Sequence, residues 1–211
     1  MELYKGRPDT NEGRLEREIR VYDFLDDHGI EYWRTDHAPA DTMEVCSEID
    51  AVLGATICKN LFLCNRQKTQ FYLLMMPGDK PFKTKEITSQ IGSARLSFAS
   101  PEDMEKYLDI RPGAVSVMGL MNDHENYVQL LVDEDVMKGE YLGCHPCVNT
   151  SSMKVRTEDI FGKFLEAVHH DMIKVTLTGE SSLIEAIRTE ITDDTVLRMY
   201  EQKLRDSRRN S

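Results

Sequence analysis

The 211-residue sequence has no apolar run that approaches the roughly 20 residues of a membrane-spanning helix. Its first residues, Met1–Lys5, lack the apolar stretch of a secretory signal. We therefore expect a cytoplasmic protein that does not enter a membrane. Apolar residues make up 40% of the chain and charged residues 30%, which is typical of a globular domain with a substantial core.

The motifs of several large enzyme classes are also missing. The sequence contains no GxxxxGK[ST], no GxGxxG after a strand, no HExxH and no GxSxG. These absences argue against phosphate-loop nucleotide hydrolysis, dinucleotide-dependent redox chemistry, zinc proteolysis and the α/β-hydrolase mechanism.

Cysteine is scarce and scattered, which fits reduced thiols better than a disulfide framework. Cys144 and Cys147 form a CxxC, but a zinc ribbon needs a second close pair, and a thioredoxin-type CxxC opens a helix. The residues after Cys147 do not resemble a helix start. We expect no metal and no cofactor, and a redox or zinc protein is the weakest alternative. The five cysteines are Cys46, Cys58, Cys64, Cys144 and Cys147.

The net charge of −11 argues against nucleic acid as a partner until its distribution is considered. Residues 59–95 contain seven basic and two acidic side chains, a local charge of +5. Such asymmetry permits one phosphate-facing side on an acidic body. A solvated hairpin and helix explain the same pattern equally well.

Hydrophobic periodicity and turn residues predict helices and strands without a regular βαβ alternation. This order favours an α+β fold, with a curved or barrel-like mixed β-sheet core flanked by helices. We expect one domain over 1–178 and a C-terminal helical extension and tail over 179–211. The predicted helices are 12–28, 41–53, 84–91, 100–108, 157–169, 181–191 and 194–206. The predicted strands are 30–33, 56–64, 70–76, 95–99, 114–118, 127–132 and 172–177.

Two polar segments next to apolar strands suggest a site. His145 precedes Pro146, and a residue before proline is held in an extended conformation, so its ring should project in a fixed direction. Lys59-Asn60 stands in front of the apolar run Leu61–Leu63, where a lysine suits an anionic ligand.

Five ordered motifs resemble the YbaK-like family of aminoacyl-tRNA editing domains. The resemblance runs from about Leu15 to Leu177 and is best with the freestanding prolyl-tRNA editing members of the ProX/PrdX type. It implies a curled mixed sheet with a pocket for an aminoacyl-adenosine end, and ester hydrolysis without a metal or a covalent intermediate. The motifs are Lys59–Leu63, Arg95–Ala99, Pro112–Ser116, Gly119–Asp123 and His145–Thr150.

The resemblance also implies roles for individual residues. Lys59 matches the lysine that holds the terminal adenosine or its phosphate, and His145 matches the histidine that shapes the amino-acid pocket as a wall and orienting donor. Gly113 to Ser116 match a glycine-containing loop that contacts the aminoacyl carbonyl. The expected catalytic residues are Lys59, Gly113, Ser116 and His145. The expected substrate-binding residues are Asn60, Ala114, Asn122, Asp123, Asn149 and Thr150.

The leading hypothesis is a trans-acting deacylase that clears Ala-tRNA(Pro). A pocket that fits alanine excludes proline by size, whereas a synthetase site built for proline cannot strongly exclude a smaller residue. Val117 stands where the family often has proline, so another small amino acid, such as serine, cysteine or an analogue, remains an alternative. A non-catalytic tRNA- or synthetase-binding module is another. The expected partner is tRNA, with prolyl-tRNA synthetase as a second candidate, and the protein is expected to be a monomer or homodimer.

Overall fold

The computed structural model describes residues 1–39 and 43–178. Its main compact unit comprises Met1–Asp79 and Lys83–Leu177. Two parts of the predicted structure lie outside the described residues. They are Asp41 and Thr42, at the start of the helix predicted over 41–53, and both helices predicted after Gly179. Within the described part, no helix is both long enough and apolar enough to cross a membrane.

A five-stranded mixed sheet forms one half of the core, in the order β5-β3-β4-β6-β9. The β3–β4 hairpin and β5 pair antiparallel, whereas β6 pairs parallel with β4 and β9 parallel with β6. All six residues of β4 are buried, as expected for a central strand. The strands are β3 (Lys59–Asn65), β4 (Phe71–Met76), β5 (Leu96–Phe98), β6 (Val128–Asp133) and β9 (Met172–Val175).

A second, fully antiparallel sheet has the order β1-β2-β8-β7. The single mixed sheet expected from the sequence is therefore two sheets, and the mixed α+β class is confirmed. The two sheets meet at Gly143, whose N–H donates to Thr56 O (2.9 Å) and whose carbonyl accepts from Cys58 N–H (3.0 Å). The strands are β1 (Tyr4–Lys5), β2 (Tyr32–Asp36), β7 (Tyr141–Cys144) and β8 (Ser151–Arg156).

Six α-helical segments of residues 1–39 and 43–178 flank the sheets, and the sequence predicted most of their ends. Gly54 and Gly92 have positive φ where α2 and α3 end, which a residue without Cβ adopts at little cost. Ser100 and Asp103 form the reciprocal capping box at the start of α4. The helices are α1 (Glu16–Asp27), α2 (Met43–Leu53), α3 (Thr84–Ile91), α4 (Pro101–Leu108), α5 (Thr157–Asp159) and α6 (Leu165–Ala167).

Two element predictions were wrong. The strand expected at 114–118 is replaced by a 3₁₀ helix, Val117–Asn122, which Ser116 caps by accepting from Met118 N–H (3.2 Å). A short apolar run fits either structure, so periodicity could not decide between them. The helix expected from 157 to 169 is interrupted by a π-helical turn, Ile160–Phe164, and its cap residue is Arg156 rather than Thr157.

Gly143 tests the importance of the contact between the sheets. A Cβ at this position would lie 2.8 Å from Ile57 Cα and 2.9 Å from Thr56 O, so the backbone would have to shift. We expect Gly143→Ala to lower the free energy of unfolding by about 1–3 kcal/mol. The matched control is Gly162→Ala, where a Cβ meets nothing within 4 Å. Urea unfolding of both variants measures the difference, and equal midpoints would contradict a tight junction.

Candidate active site

A cavity of about 790 Å³ lies beside the junction of the two sheets. This volume falls in the range of small-molecule sites. Much of its wall is formed by apolar side chains from α2, from β7 and from the segment that precedes β3. Charged side chains also line it. The lining residues are Cys46, Ser47, Ile49, Asp50, Thr56, Ile57, Cys58, Lys59, Pro77, Gly78, Asp79, Gly113, Asp135, Val136, Gly139, Tyr141, Leu142, His145 and Asn149.

Four residues predicted from distant parts of the sequence line this one cavity: Lys59, Gly113, His145 and Asn149. Lys59 is exposed at the first position of β3. Gly113 has a φ of +91°, a conformation that strains other residues. A Cβ on Gly113 would lie 3.7 Å from Asn149 Nδ2, so the glycine loop and the His145 segment are adjacent.

The other predicted residues are not among those that line the cavity in the described chain, and most of them take part in local structure. The Asn122 amide donates to Leu108 O (2.8 Å), and the backbone carbonyl of Thr150 accepts from His37 N–H (2.9 Å). Ala114 and Ser116 are buried beside the 3₁₀ helix. The Asn60 amide donates to Cys58 O (3.0 Å). A role of these residues in substrate binding stays a prediction.

Asp123 is buried and holds the backbone at the start of β6 by hydrogen bonds. Its carboxylate accepts from Tyr127 N–H (3.0 Å) and Val128 N–H (2.7 Å) and lies 3.1 Å from His170 Nε2. Burial alone would raise the pKa of Asp123, but the hydrogen bonds from His170 and the two amides outweigh it and lower the pKa. Burial alone would lower the pKa of His170, but the hydrogen bond that its ring donates to Asp123 outweighs burial and raises that pKa.

Sequence reasoning missed Asp50, which lines the cavity from α2. Its Oδ1 accepts from Ile57 N–H (3.0 Å). Burial raises the pKa of Asp50, and this hydrogen bond only partly offsets the effect. No cationic side chain pairs with it in residues 1–39 and 43–178. An aspartate in the helical stripe formed with Cys46, Ile49 and Leu53 was the available signal, since that stripe faces inward.

Histidine 145 is held by a chain of hydrogen bonds. Its Nδ1 lies 3.1 Å from the Ser151 carbonyl and 3.3 Å from Ser152 Oγ, and Ser152 Oγ lies 2.8 Å from His37 Nε2. His37 Nδ1 in turn lies 2.8 Å from the Ala38 carbonyl. Because a carbonyl only accepts, both Nδ1 atoms carry the proton. The Ser152 hydroxyl then accepts from His145 and donates to His37.

This chain determines what His145 offers to a ligand. Burial lowers the pKa of His145, against the opposing effect of the hydrogen bond to Ser151, so the ring is neutral at pH 7. With Nδ1 facing β8, Nε2 keeps a lone pair and has no hydrogen-bond partner in the described chain. His145 can therefore accept a hydrogen bond from an ammonium group or a water.

The cysteines near His145 are poorly suited to thiolate chemistry. Burial raises the pKa of Cys58 and of Cys147 to about 12, and it also raises the pKa of Cys144. A thiol with such a pKa stays protonated at neutral pH, and the thiolate is the form that attacks or binds metal.

The His170–Asp123 pair makes stability depend on pH. Because folding raises the pKa of His170, the protonated ring stabilises the fold. This contribution is complete at pH values below about 6.5, the pKa in the unfolded chain, and is lost as pH rises through the pKa in the folded protein. Because folding lowers the pKa of Asp123, its carboxylate contributes stability at pH values above about 3.9, the pKa in the unfolded chain. This stability is lost as pH falls through the pKa in the folded protein. We expect urea unfolding to show a decline in stability from pH 6 to 9 that His170→Gln flattens. The control His124→Gln, at an exposed histidine, should retain the decline.

The hydrogen-bond chain predicts a tautomer that NMR can observe. Two-bond ¹H–¹⁵N spectra at pH 7.5 should show His145 and His37 protonated at Nδ1. Ser152→Ala should shift the Nε2 signal of His37, which loses its donor, and leave His145 with the Ser151 carbonyl alone. Ser89→Ala is the control, since it removes a hydroxyl that donates to Glu86 O on α3 (3.0 Å), outside this chain of hydrogen bonds. Protonation of His145 at Nε2 in the wild type would disprove the arrangement.

Comparison with known proteins identifies the family of the chain. Residues 37–162 match the aminoacyl-tRNA editing domain family. The chain is 34% identical over 136 residues to the Prolyl-tRNA editing protein ProX of Acetoanaerobium sticklandii, a match that covers 64% of this chain and 83% of that protein. It is 27% identical over 150 residues to Prolyl-tRNA synthetase associated domain-containing protein 1 of Danio rerio, covering 70% of this chain and 80% of that protein.

The fold has counterparts among solved structures. A crystal structure of a protein proposed to be a trans-editing enzyme for prolyl tRNA synthetase superimposes with a TM-score of 0.58 at 15% identity, covering 77% of this chain and 98% of that one. The resemblance expected from the five sequence motifs is thereby confirmed. The chain belongs to the aminoacyl-tRNA editing domain family.

Proposed function

We propose that the protein is a trans-acting aminoacyl-tRNA deacylase that hydrolyses the ester of mischarged Ala-tRNA(Pro). The observation that carries the proposal is the convergence of Lys59, Gly113, His145 and Asn149 on one cavity. The naming of a relative as a prolyl-tRNA editing protein supports the choice of tRNA(Pro). A cytoplasmic location and a contact with prolyl-tRNA synthetase belong to the same proposal.

The chemistry needs few catalytic groups, because an aminoacyl ester is already activated. Hydrolysis requires an anchor for the ribose-phosphate, donors for the developing oxyanion and a placed water. Lys59, exposed at the cavity, is the anchor. The backbone N–H of Gly113 is the candidate oxyanion donor, because the Ala114 N–H already donates to Arg111 O (3.1 Å). Asn149 lies beside this loop.

The cavity also has acceptors for the α-ammonium group that every aminoacyl ester carries. The Asp50 carboxylate lacks a cationic partner in the described chain and lines the same cavity as His145. A charge-assisted hydrogen bond to Asp50 or to Nε2 of His145 orients the ester relative to Lys59. The lysine and the aspartate thus complement the two charged ends of the substrate's aminoacyl nucleotide.

Selectivity for alanine follows from size. Val117, where the family often has proline, is the first residue of the 3₁₀ helix and fully buried. Proline is also favoured at a first helical position, so this helix start is compatible with either residue. A rigid pocket that admits alanine excludes the proline ring by overlap.

Deacylation of charged tRNAs tests the proposal. The purified protein should hydrolyse Ala-tRNA(Pro) and leave Pro-tRNA(Pro) at the background rate, with Ser- and Cys-charged tRNA(Pro) completing the panel. Lys59→Ala should reduce the rate by roughly 10²–10³ while the protein stays folded, since loss of one transition-state contact has that effect. The control is Lys68→Ala, because Lys68 pairs with Asp103 instead of lining the cavity.

The panel separates the remaining candidates. Preferential loss of serine or cysteine would move the assignment to another small amino acid. Background rates for every charged tRNA would reject hydrolysis, and full activity of Lys59→Ala would remove Lys59 from the mechanism.

A further inference from the structure

Cations and aromatic rings alternate across the antiparallel sheet. Lys5, Trp33 and Lys154 are register partners on β1, β2 and β8. Lys154 Nζ lies 5.2 Å from the ring centroid of Trp33 and 5.1 Å from that of Tyr141. Arg156 Cζ lies 5.1 Å from the Tyr141 ring, and Lys5 Nζ lies 5.7 Å from the Trp33 ring. We call these five residues the cation–aromatic ladder.

The ladder is continuous with the cavity. Register partners in an antiparallel sheet project to the same side, and so do residues two apart on one strand. Ser152, which contacts His145, is therefore on the ladder side of β8, two residues before Lys154. Tyr141 belongs to both, since it lines the cavity and contacts Lys154 and Arg156. A ligand that leaves the cavity past Tyr141 meets the ladder.

The charge of the ladder is only partly neutralised. Lys5 pairs with Glu31 (2.7 Å), and Arg156 pairs with Glu140 (3.1 Å). No carboxylate of the described chain pairs with Lys154, whose ammonium lies over the two rings. A protein of net charge −11 thus presents a cationic strip next to its cavity.

We infer that the ladder binds the single-stranded 3′ end of the tRNA whose aminoacyl group enters the cavity. This inference rests on the proposed function. Proteins that bind single strands combine cations along the backbone with rings on which bases stack. In the complex, the ammonium groups of Lys154 and Lys5 turn from the rings to the phosphates, and bases occupy the ring faces. A duplex keeps its bases stacked internally, so it cannot use Trp33 and Tyr141 in this way.

The first experiment uses Trp33, which is the one tryptophan in the sequence. A minihelix of the tRNA(Pro) acceptor stem with its 3′ CCA, carrying no amino acid, should quench Trp33 fluorescence. The same stem with a blunt end should not. Because three cations face a single strand, the logarithm of the binding constant plotted against the logarithm of the salt concentration should have a slope of about −2. Equal quenching by both RNAs, or by a polyglutamate peptide, would overturn the inference.

The second experiment compares variants by anisotropy of a labelled minihelix. Trp33→Ala should weaken binding on the order of tenfold, and Trp33→Phe, which keeps a ring, should weaken it less. Lys154→Gln should make the salt slope shallower by about 0.7. The matched control is Lys106→Gln, because Lys106 also lies over a ring (4.7 Å from Tyr107) but on α4. Urea unfolding verifies that each variant is folded.

The outcomes separate the ladder from the proposed function. If the wild type hydrolyses Ala-tRNA(Pro) while Trp33→Ala and Lys154→Gln bind the minihelix as Lys106→Gln does, the ladder is rejected and the function stands. If the wild type hydrolyses no charged tRNA but Trp33→Ala still loses binding to the minihelix, the ladder stands and the function is rejected.

Discussion

The two hydrogen bonds between Gly143 and the chain at Thr56–Cys58 are the contact on which the site depends. They join the antiparallel sheet to the mixed sheet, and the next residue after this segment is Lys59. The same segment gives Ile57 N–H to Asp50, while β7 leads directly from Gly143 to His145. The groups proposed for phosphate and ammonium are therefore brought together by one backbone junction, at which a side chain on residue 143 would clash.

A buried polar network supports the other side of the site. Arg14 donates to Glu18 (2.5 Å), Tyr22 donates to the same carboxylate (2.9 Å), and the Tyr22 hydroxyl lies 3.2 Å from Ser151 Oγ. Glu18 is only 3% exposed, so its charge depends on these partners. Because the Ser151 carbonyl holds His145, α1 positions the histidine without touching the cavity. Such networks define one geometry only when every member is satisfied.

The sequence predicted the parts of the molecule whose physics is local. Gly54, Gly92 and the Ser100 capping box mark helix ends by backbone rules. The two strand-like runs 56–64 and 70–76, separated by a polar segment, predicted the hairpin. The cavity residues Lys59, Gly113 and His145 came from family motifs. The helical stripe of α2 was a signal for Asp50 that sequence reasoning missed. The split into two sheets and the hydrogen-bond chain through Ser152 were not predictable, because each depends on contacts between segments distant in the sequence. The same holds for Ser116, whose hydroxyl caps a 3₁₀ helix that resembled a strand.

Rigidity of the His145 loop connects this architecture to selectivity. The loop is held at both ends, by the Gly143 junction before it and by the bond from His37 N–H to Thr150 O after it. Between them Cys147 and Val148 are buried, and Cys147 has a φ of +61°, which persists only when the surroundings hold it. To widen the pocket enough for a proline ring, this loop would have to move out of the packed core. Under the proposed selectivity a flexible wall would admit proline as readily as alanine, so the proposed editing by size requires the stiffness that the two sheets supply.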